Sequence, residues 1–366
     1  MADGSKIEWT DATWNPIRAY LDGRGGDGSR LGWHCEHVSE ACRHCYAETM
    51  NGRFGTGLPY ARQSRDRVEI ILDEKTLTQP LRWKKPRKIF VCSMTDLCAD
   101  FVPDEMIDRV FAVMALCPQH TFQVLTKRPM RMRAYAETVT LARLIRGSND
   151  LPSDPVAMPS WPLPNVWIGV TAENQEQADK RIPDLLATPA ARRFVSIEPM
   201  LGPVNLLGPE NEGPLANGEP TQEQIEADKT GWFVLRYGAP RLDWVICGGE
   251  SGRHARPTHP DWARSLRDQC VAAGVPFFFK QWGEYLPVGQ SLPGCGKVHG
   301  ATAVKPGRMK LHFGGTPKQP PKHAFAERGV PFDSTADGRL AFRVGKKRAG
   351  RLLDGREHNE FPEVCP

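Results

Sequence analysis

The stretch that decides the fold is Lys88–Lys127, KIFVCSMTDLCADFVPDEMIDRVFAVMALCPQHTFQVLTK. It opens on an apolar, β-rich run, Lys88–Met94, and closes on another, Thr121–Lys127. Between them Pro103–Leu116 has a helical pattern. Proline and acids stand at its start, where the helix dipole favours them. Ile107, Val110, Phe111 and Met114 fall on one face. Strand, helix, strand in this order predicts a βαβ unit with parallel strands.

Reading outward, four more runs repeat the signal: Asn165–Thr171 (NVWIGVT), Arg193–Glu198 (RFVSIE), Asp243–Gly248 (DWVICG) and Pro276–Lys280 (PFFFK). All are continuous rather than alternating, as expected of strands covered on both faces. Asn174 is a suitable N-cap for a helix over Gln175–Ile182. The segment His259–Ala273 opens with Pro260 and is closed by Gly274. The expectation is an α/β fold, a partial or distorted (β/α) TIM-like barrel spanning residues 1–284. Ala136–Pro164 and Gly208–Gly238 read as surface insertions. From about Glu284 the periodicity stops. Leu286–Pro331 reads as loop or extended covering structure, so residues 285–366 are expected to form a Gly/Pro-rich basic extension.

Each apolar run passes directly into polar groups: Ser93, Thr95 and Asp96; Thr126, Lys127 and Arg128; Thr171, Glu173 and Asn174; Ser196 and Glu198; Gly248, Gly249 and Glu250; Lys280, Gln281 and Trp282. Barrel enzymes build their sites from such strand ends. The repetition points to a shared polar cavity, and ordinary turn and capping chemistry is the competing reading.

The 366 residues are 40% hydrophobic, enough for a large core, and no run approaches the ~20 apolar residues of a membrane span. The start lacks the apolar centre of a signal peptide, so a cytoplasmic protein is expected, with no membrane partner. Ten cysteines in such a chain point to metal or redox chemistry rather than a disulfide framework. The net charge is +5, and Ala303–Pro366 alone carries 13 Lys+Arg against 7 Asp+Glu, peaking at Lys346–Arg351. A polyanionic partner is one reading of that tail, and a solvated tail is the other.

Three of the cysteines cluster as C-x6-C-x2-C: Cys35, Cys42 and Cys45, within a loop over residues 33–46. With His34 or His37 they could form a four-ligand zinc site. Held by three thiolates alone, a [4Fe–4S] cluster would keep one iron open to a small molecule.

The run Ile7–Pro16 (IEWTDATWNP), the cysteine loop and Tyr46-Ala47-Glu48 resemble the phage-type three-Cys-motif family, whose members are similar to radical S-adenosylmethionine (SAM) proteins such as spore photoproduct lyase. Leu125–Pro129, Gly169–Asn174, Ser196–Pro199, Cys247–Gly252, Phe279–Trp282 and Gly350–Gly355 fit as well. The chain departs from the family in Ile17–Trp33, a Gly- and Arg-rich insertion before the first cysteine. It departs from the wider superfamily in its longer first cysteine gap.

The resemblance implies a barrel of radical SAM type and a [4Fe–4S] cluster on Cys35, Cys42 and Cys45. It also implies SAM at the open iron, an external electron donor, and hydrogen abstraction from a substrate. Cofactor contacts would come from Ser93, Thr95 and Asp96 (the methionyl amine), Thr171, Glu173 and Asn174 (the ribose side), Ser196 and Glu198, and Gly248 and Gly249 (adenine). Glu250 and Lys280 would act on the substrate side. Lys127 and Arg128 could neutralise a carboxylate or phosphate. The basic tail suggests a nucleic-acid base or nucleotide as substrate. A radical enzyme acting on a peptide or protein, and a zinc-stabilised nucleic-acid-binding protein without catalysis, are the alternatives.

Overall fold

The computed structural model describes residues 5, 7–22, 29–149, 151, 160–206, 242–292, 296–305, 308–313, 325–326, 329–331 and 340–363. Its strands include β1 (Ala12–Trp14), β2 (Ile17–Leu21), β3 (Arg30–Gly32), β4 (Glu69–Leu72), β5 (Lys88–Val91), β6 (Thr121–Thr126), β7 (Val166–Thr171), β8 (Arg192–Ile197), β9 (Trp244–Gly248) and β10 (Phe277–Gln281). The helices are α1 (Tyr46–Phe54), α2 (Glu74–Leu77), α3 (Asp104–Ala115), α4 (Pro129–Thr138), α5 (Leu141–Ser148), α6 (Gln175–Ala187), α7 (Pro260–Ala273) and a last turn at Lys346–Ala349.

Seven strands share one sheet in the order β1-β5-β6-β7-β8-β9-β10. The ladders of β1 with β5, β5 with β6, β6 with β7 and β9 with β10 are parallel. Each new strand is laid beside the last, so the sheet is an α/β sheet of the open, partial-barrel kind, with β1 and β10 as its edges. By internal contacts the chain forms two compact units: residues 1–171 with 180–194, and residues 172–179 with 195–366.

The apolar runs become strands almost residue for residue. Lys88–Met94 is the exception, because β5 stops at Val91. Cys92 takes a left-handed backbone, φ 53°, which few non-glycine residues adopt, and this turns Ser93–Asp96 off the strand as a loop. Helix α3 buries Ile107, Val110, Phe111 and Met114 as its spacing requires. Asn174 caps α6 by accepting from the Gln177 N–H at 3.0 Å. The helix runs beyond Ile182, through Pro183, to Ala187. Helix α7 begins at Pro260 under a His259 cap and ends at Gly274, φ 63°, a left-handed C-cap.

The Ala136–Pro164 insertion is partly regular. Helix α4 reaches Thr138 and α5 fills Leu141–Ser148, capped by Thr140 and fastened by Arg143 to Asp104 and Asp108. The insertion at 208–238 lies outside the described residues. Ile17–Trp33 supplies β2 and β3, an antiparallel pair extended by β4. Here Ile17, Ala19 and Leu21 alternate with Arg18 and Tyr20, burying one side. Beyond Glu284 the described residues are largely extended, with Tyr285–Pro287, Leu340–Arg343 and Gly329–Pro331 in one antiparallel sheet. Among the described residues no helix is long and apolar enough to cross a membrane.

Candidate metal centre and polar strand ends

In the first unit, Cys35 follows β3, Cys42 sits in a 3-10 turn over Glu40–His44, and Cys45 is the N-cap residue of α1. The turn is closed by the Cys42 N–H on the Ser39 carbonyl at 3.0 Å and the Cys45 N–H on the Cys42 carbonyl at 3.2 Å. All three thiols are free and half-buried.

Side chains dock this loop onto the carboxyl ends of β5 and β6. The Tyr46 hydroxyl donates to the Ser93 carbonyl at 2.8 Å, and the Tyr60 hydroxyl to the Met94 carbonyl at 2.7 Å. The Thr95 hydroxyl donates to the His34 carbonyl. Arg128 Nη2 donates to the Glu36 carbonyl at 3.3 Å. Asn15, just past β1, accepts from the Ser93 hydroxyl at 3.2 Å and the Met94 N–H at 3.0 Å. Glu48 of α1 joins the His37 ring, 2.9 Å, to the Tyr60 N–H, 2.9 Å. Buried Asn51 accepts from the Trp33 N–H at 3.0 Å and fixes the chain ahead of Cys35.

Asp96 holds the centre of the arrangement. Its Oδ1 accepts from the Cys98 N–H at 3.0 Å and the Thr126 hydroxyl at 2.7 Å. Its Oδ2 accepts from the Lys127 N–H at 3.0 Å and Arg128 Nη1 at 3.1 Å. A carboxylate offers about four acceptor positions, and here four donors use them. Asp96 therefore fixes the Thr126–Arg128 turn. Lys127 Nζ reaches the Thr171 hydroxyl at 3.4 Å.

Burial pushes the Cys35 thiol up to about 12, with Asp96 adding to the shift and Arg128 opposing it. Burial also raises Cys45, against the pull of Lys127. Cys45 interacts electrostatically with both Cys35 and Cys42. Buried thiols of this kind ionise only against positive charge, which a metal centre would supply, so the all-thiol donor set fits a soft metal or iron–sulfur group. Among the described residues, no three His, Cys, Asp or Glu side chains form a group arranged to hold a metal ion. His34 is buried with Nε2 lacking a hydrogen-bond partner, 3.7 Å from a Glu36 carboxylate oxygen.

In the second unit the strand ends engage one another. Lys280 Nζ lies 3.3 Å from Glu198 Oε1, and the Ser196 hydroxyl donates to Glu198 Oε2 at 3.2 Å. At Gly248 a Cβ would meet Glu198 Oε1 at 2.3 Å, so a larger residue there would push the Glu198 carboxylate aside. At Gly249 a Cβ would meet the Trp282 carbonyl at 2.1 Å. The buried Glu250 carboxylate is clamped by Arg256, whose N–H and Nε donate at 2.8 Å and Nη2 at 2.7 Å. Glu173 is buried, and Asn174 spends its side-chain oxygen on the α6 cap.

The structure thus brings Ser93, Thr95 and Asp96 to the cysteine loop, with Thr171 joined through Lys127. It gathers Ser196, Glu198, Gly248 and Lys280 in the other unit. Sequence reasoning missed Asn15, Tyr60 and Arg256 as organisers of these sites. Asn15 lies in the conspicuous run before the cysteines, whereas Tyr60 carries no local signal.

The tail is fastened within its own unit. The Phe279 N–H donates to the His358 carbonyl at 3.0 Å, the Trp282 N–H to the Gly350 carbonyl at 3.1 Å, and Trp282 Nε1 to the Leu352 carbonyl at 2.9 Å. Asp354 is gripped by Arg264 and Arg267 of α7, at 2.6 and 2.9 Å, and by Gln290 at 3.0 Å. Arg343 pairs with Glu284 at 3.8 Å and Arg356 with Glu360 at 3.8 Å.

The profile of a family described as protein of unknown function (DUF5131) matches residues 4–362. No curated protein matches the chain, and no solved structure does.

Proposed function

We propose that this chain, which belongs to the DUF5131 family, is a radical SAM enzyme whose Cys35, Cys42 and Cys45 hold a [4Fe–4S] cluster. One observation carries the reading: a three-thiol loop is docked by side chains onto the carboxyl ends of β5 and β6 in a parallel α/β sheet laid down in sequence order. That is where barrel-type folds place their chemistry. When bound, the cluster and SAM would supply a 5′-deoxyadenosyl radical able to abstract hydrogen.

The protein's own groups prepare the place. Asp96 fixes the turn that carries Lys127 and Arg128 toward the thiols, and these cations offset thiolate charge. Lys127, beside Thr171, can hold a carboxylate of the cofactor. Thr95 spends its hydroxyl on the loop itself. Lys280 is assigned to the substrate, and Glu250 to holding the loop that Arg256 closes.

The substrate assigned is a nucleic-acid base or nucleotide. It rests on the resemblance and on the basic composition of the tail, whose Lys347 and Arg348 are exposed. A peptide substrate is the alternative. Salt-sensitive binding of DNA or RNA, lost when Lys346–Arg348 are neutralised, would decide against it.

The zinc reading is favoured by one feature, the buried His34 ring next in sequence to Cys35, whose Nε2 lies 3.7 Å from Glu36 without a hydrogen bond. Metal analysis of anaerobically purified and reconstituted protein separates the two. Iron and sulfide, visible absorption bleached by dithionite, and 5′-deoxyadenosine released from SAM are expected. About one zinc per chain without iron would end the radical reading.

A further inference from the structure

The segment leading into β5 is Lys75–Lys88, KTLTQPLRWKKPRK. It carries six cations, Lys75, Arg82, Lys84, Lys85, Arg87 and Lys88, and no carboxylate. The tail, by contrast, mixes 13 cations with 7 acids. Helix α2 and a 3-10 turn over Pro80–Arg82 carry the first part of the segment. Trp83–Arg87 is an irregular connection stiffened by Pro86, whose ring fixes φ. The Arg82 guanidinium turns back on α2, donating to the Thr78 hydroxyl at 3.2 Å and the Lys75 carbonyl at 3.4 Å. Lys75, Arg82, Lys84 and Lys85 are all exposed, and none has a carboxylate partner among the described residues.

The two carboxylates just before the segment are spent elsewhere. Asp73 accepts from the Thr76 N–H at 3.2 Å and its hydroxyl at 2.8 Å. Glu74 is held by both Nη atoms of Arg109 on α3. Cations gathered without such relief repel one another, and their summed potential favours a polyanion. No residue of 74–88 is an exposed large apolar side chain. The strip therefore lacks both the apolar centre of a protein docking face, where lysine is depleted, and the residues that enter a lipid surface. Trp83 is half-buried, with Arg87 over its ring at 4.8 Å and the His120 ring edge-on at 6.1 Å. Engaged in this way, it is no platform for an unpaired base. Exposed cations around an occupied aromatic suit the phosphates of a duplex.

We infer that Lys75, Arg82, Lys84 and Lys85 form a strip that holds the phosphate backbone of a nucleic-acid duplex without reading its sequence. The strip is not part of the strand-end site. Ser93 and Met94, which meet the cysteine loop, follow the carboxyl end of β5, whereas the strip precedes its amino end. The four residues of β5 set the two apart by about 13 Å along the strand. The strip is thus an anchor for the polymer. It shares with the proposed function only the class of partner, and it needs neither cluster nor SAM.

The test titrates full-length protein, with no cluster added, against short DNA duplexes of two unrelated sequences over a range of salt. The variants are Lys84→Gln/Lys85→Gln, Lys75→Gln/Arg82→Gln and Lys84→Arg/Lys85→Arg, each checked for an unchanged urea midpoint. Each Gln pair should weaken binding of both duplexes about tenfold at about 0.15 M salt. It should also lower the slope of log affinity against log salt by about 2, the loss of two phosphate contacts. The Arg pair keeps the charge and should bind like the parent. Binding by both Gln pairs with the parent's affinity and slope would overturn the strip, as would a parent that binds no duplex. Polyglutamate that displaces the duplex as well as a second duplex does would overturn the nucleic-acid assignment. Neutralising Lys346–Arg348 is read separately. Loss of binding there, with none in the Gln pairs, would overturn the strip and leave the proposed function standing. Failure to load iron and sulfide would end the cluster reading and leave the strip standing.

Discussion

In the first unit the polar strand ends reach out to a separate loop, while in the second they reach to one another. Tyr46, Tyr60, Thr95 and Arg128 each spend a donor on fastening the cysteine loop or the strand end beneath it. Glu198 with Lys280, and Glu250 with Arg256, instead satisfy charge with charge inside the second unit. A loop held by side-chain donors on backbone carbonyls keeps its thiols available for a ligand. A carboxylate clamped by a guanidinium is already occupied. The two sets of strand ends look alike in sequence, yet among the described residues the first lies against the three-thiol loop and the second closes on its own charges.

Replacing Cys45 with Ala tests that contrast most severely. The reconstituted protein should lose nearly all bound iron, whereas Lys280→Ala should bind as much as the parent, measured by iron and sulfide analysis. Asp96→Asn comes next, because it converts a buried four-bond acceptor into one that must offer an N–H to a donor. It should cost about 3 kcal/mol in urea unfolding, as expected when a buried charged pair loses a partner. If Asp96→Asn cost no more than a surface change, Asp96 would not be the element that holds the turn.

The Glu198–Lys280 pair is expected to matter less. Glu198→Gln or Lys280→Met alone should each cost about 2 kcal/mol, and the double variant distinctly less than their sum. Additive losses would mean that the two groups act independently. Asp354→Asn should have the smallest of these effects, about 1 kcal/mol at neutral pH. Hydrogen bonds from Arg264 hold the Asp354 carboxyl well below the usual carboxylate range. A depressed folded-state value stabilises the protein above the ordinary carboxylate pKa of about 4. That contribution fades as pH falls from there toward the folded-state value. The gap between parent and Asp354→Asn should therefore be full at pH 7 and shrink below about pH 4, read from urea midpoints at each pH.

The sheet was readable because its strands are covered on both faces, which writes them as unbroken apolar runs such as Val166–Thr171 and Phe277–Phe279. Strand β1 has only three residues, too few for a pattern, and reads merely as part of an apolar stretch. The β2–β3 pair hides in a Gly- and Arg-rich segment, although the alternation of Ile17, Ala19 and Leu21 marks it. Of the site, the cysteines announce themselves by spacing. The roles of Asp96 and Glu250 do not, because the partners that occupy them, Arg128 and Arg256, are assigned by the turn geometry after each strand. Tyr60 contributes a hydroxyl from outside any motif, and only the fold brings it under Met94.

The segment from Gly350 to Glu360 has a consequence for how the chain is made. It lies along β10, an edge of the sheet: Phe278 pairs with Asn359, Trp244 Nε1 donates to the Glu360 carbonyl at 2.8 Å, and Phe361 stacks on Trp244 at 4.9 Å. During synthesis β10 emerges well before this cover exists. For that interval an apolar strand, Phe-Phe-Phe, presents unpaired backbone to every neighbouring nascent chain. Yield of native protein should then depend on how quickly the ribosome delivers the last stretch, and slow codons between Gln281 and Gly350 would favour aggregates over native protein.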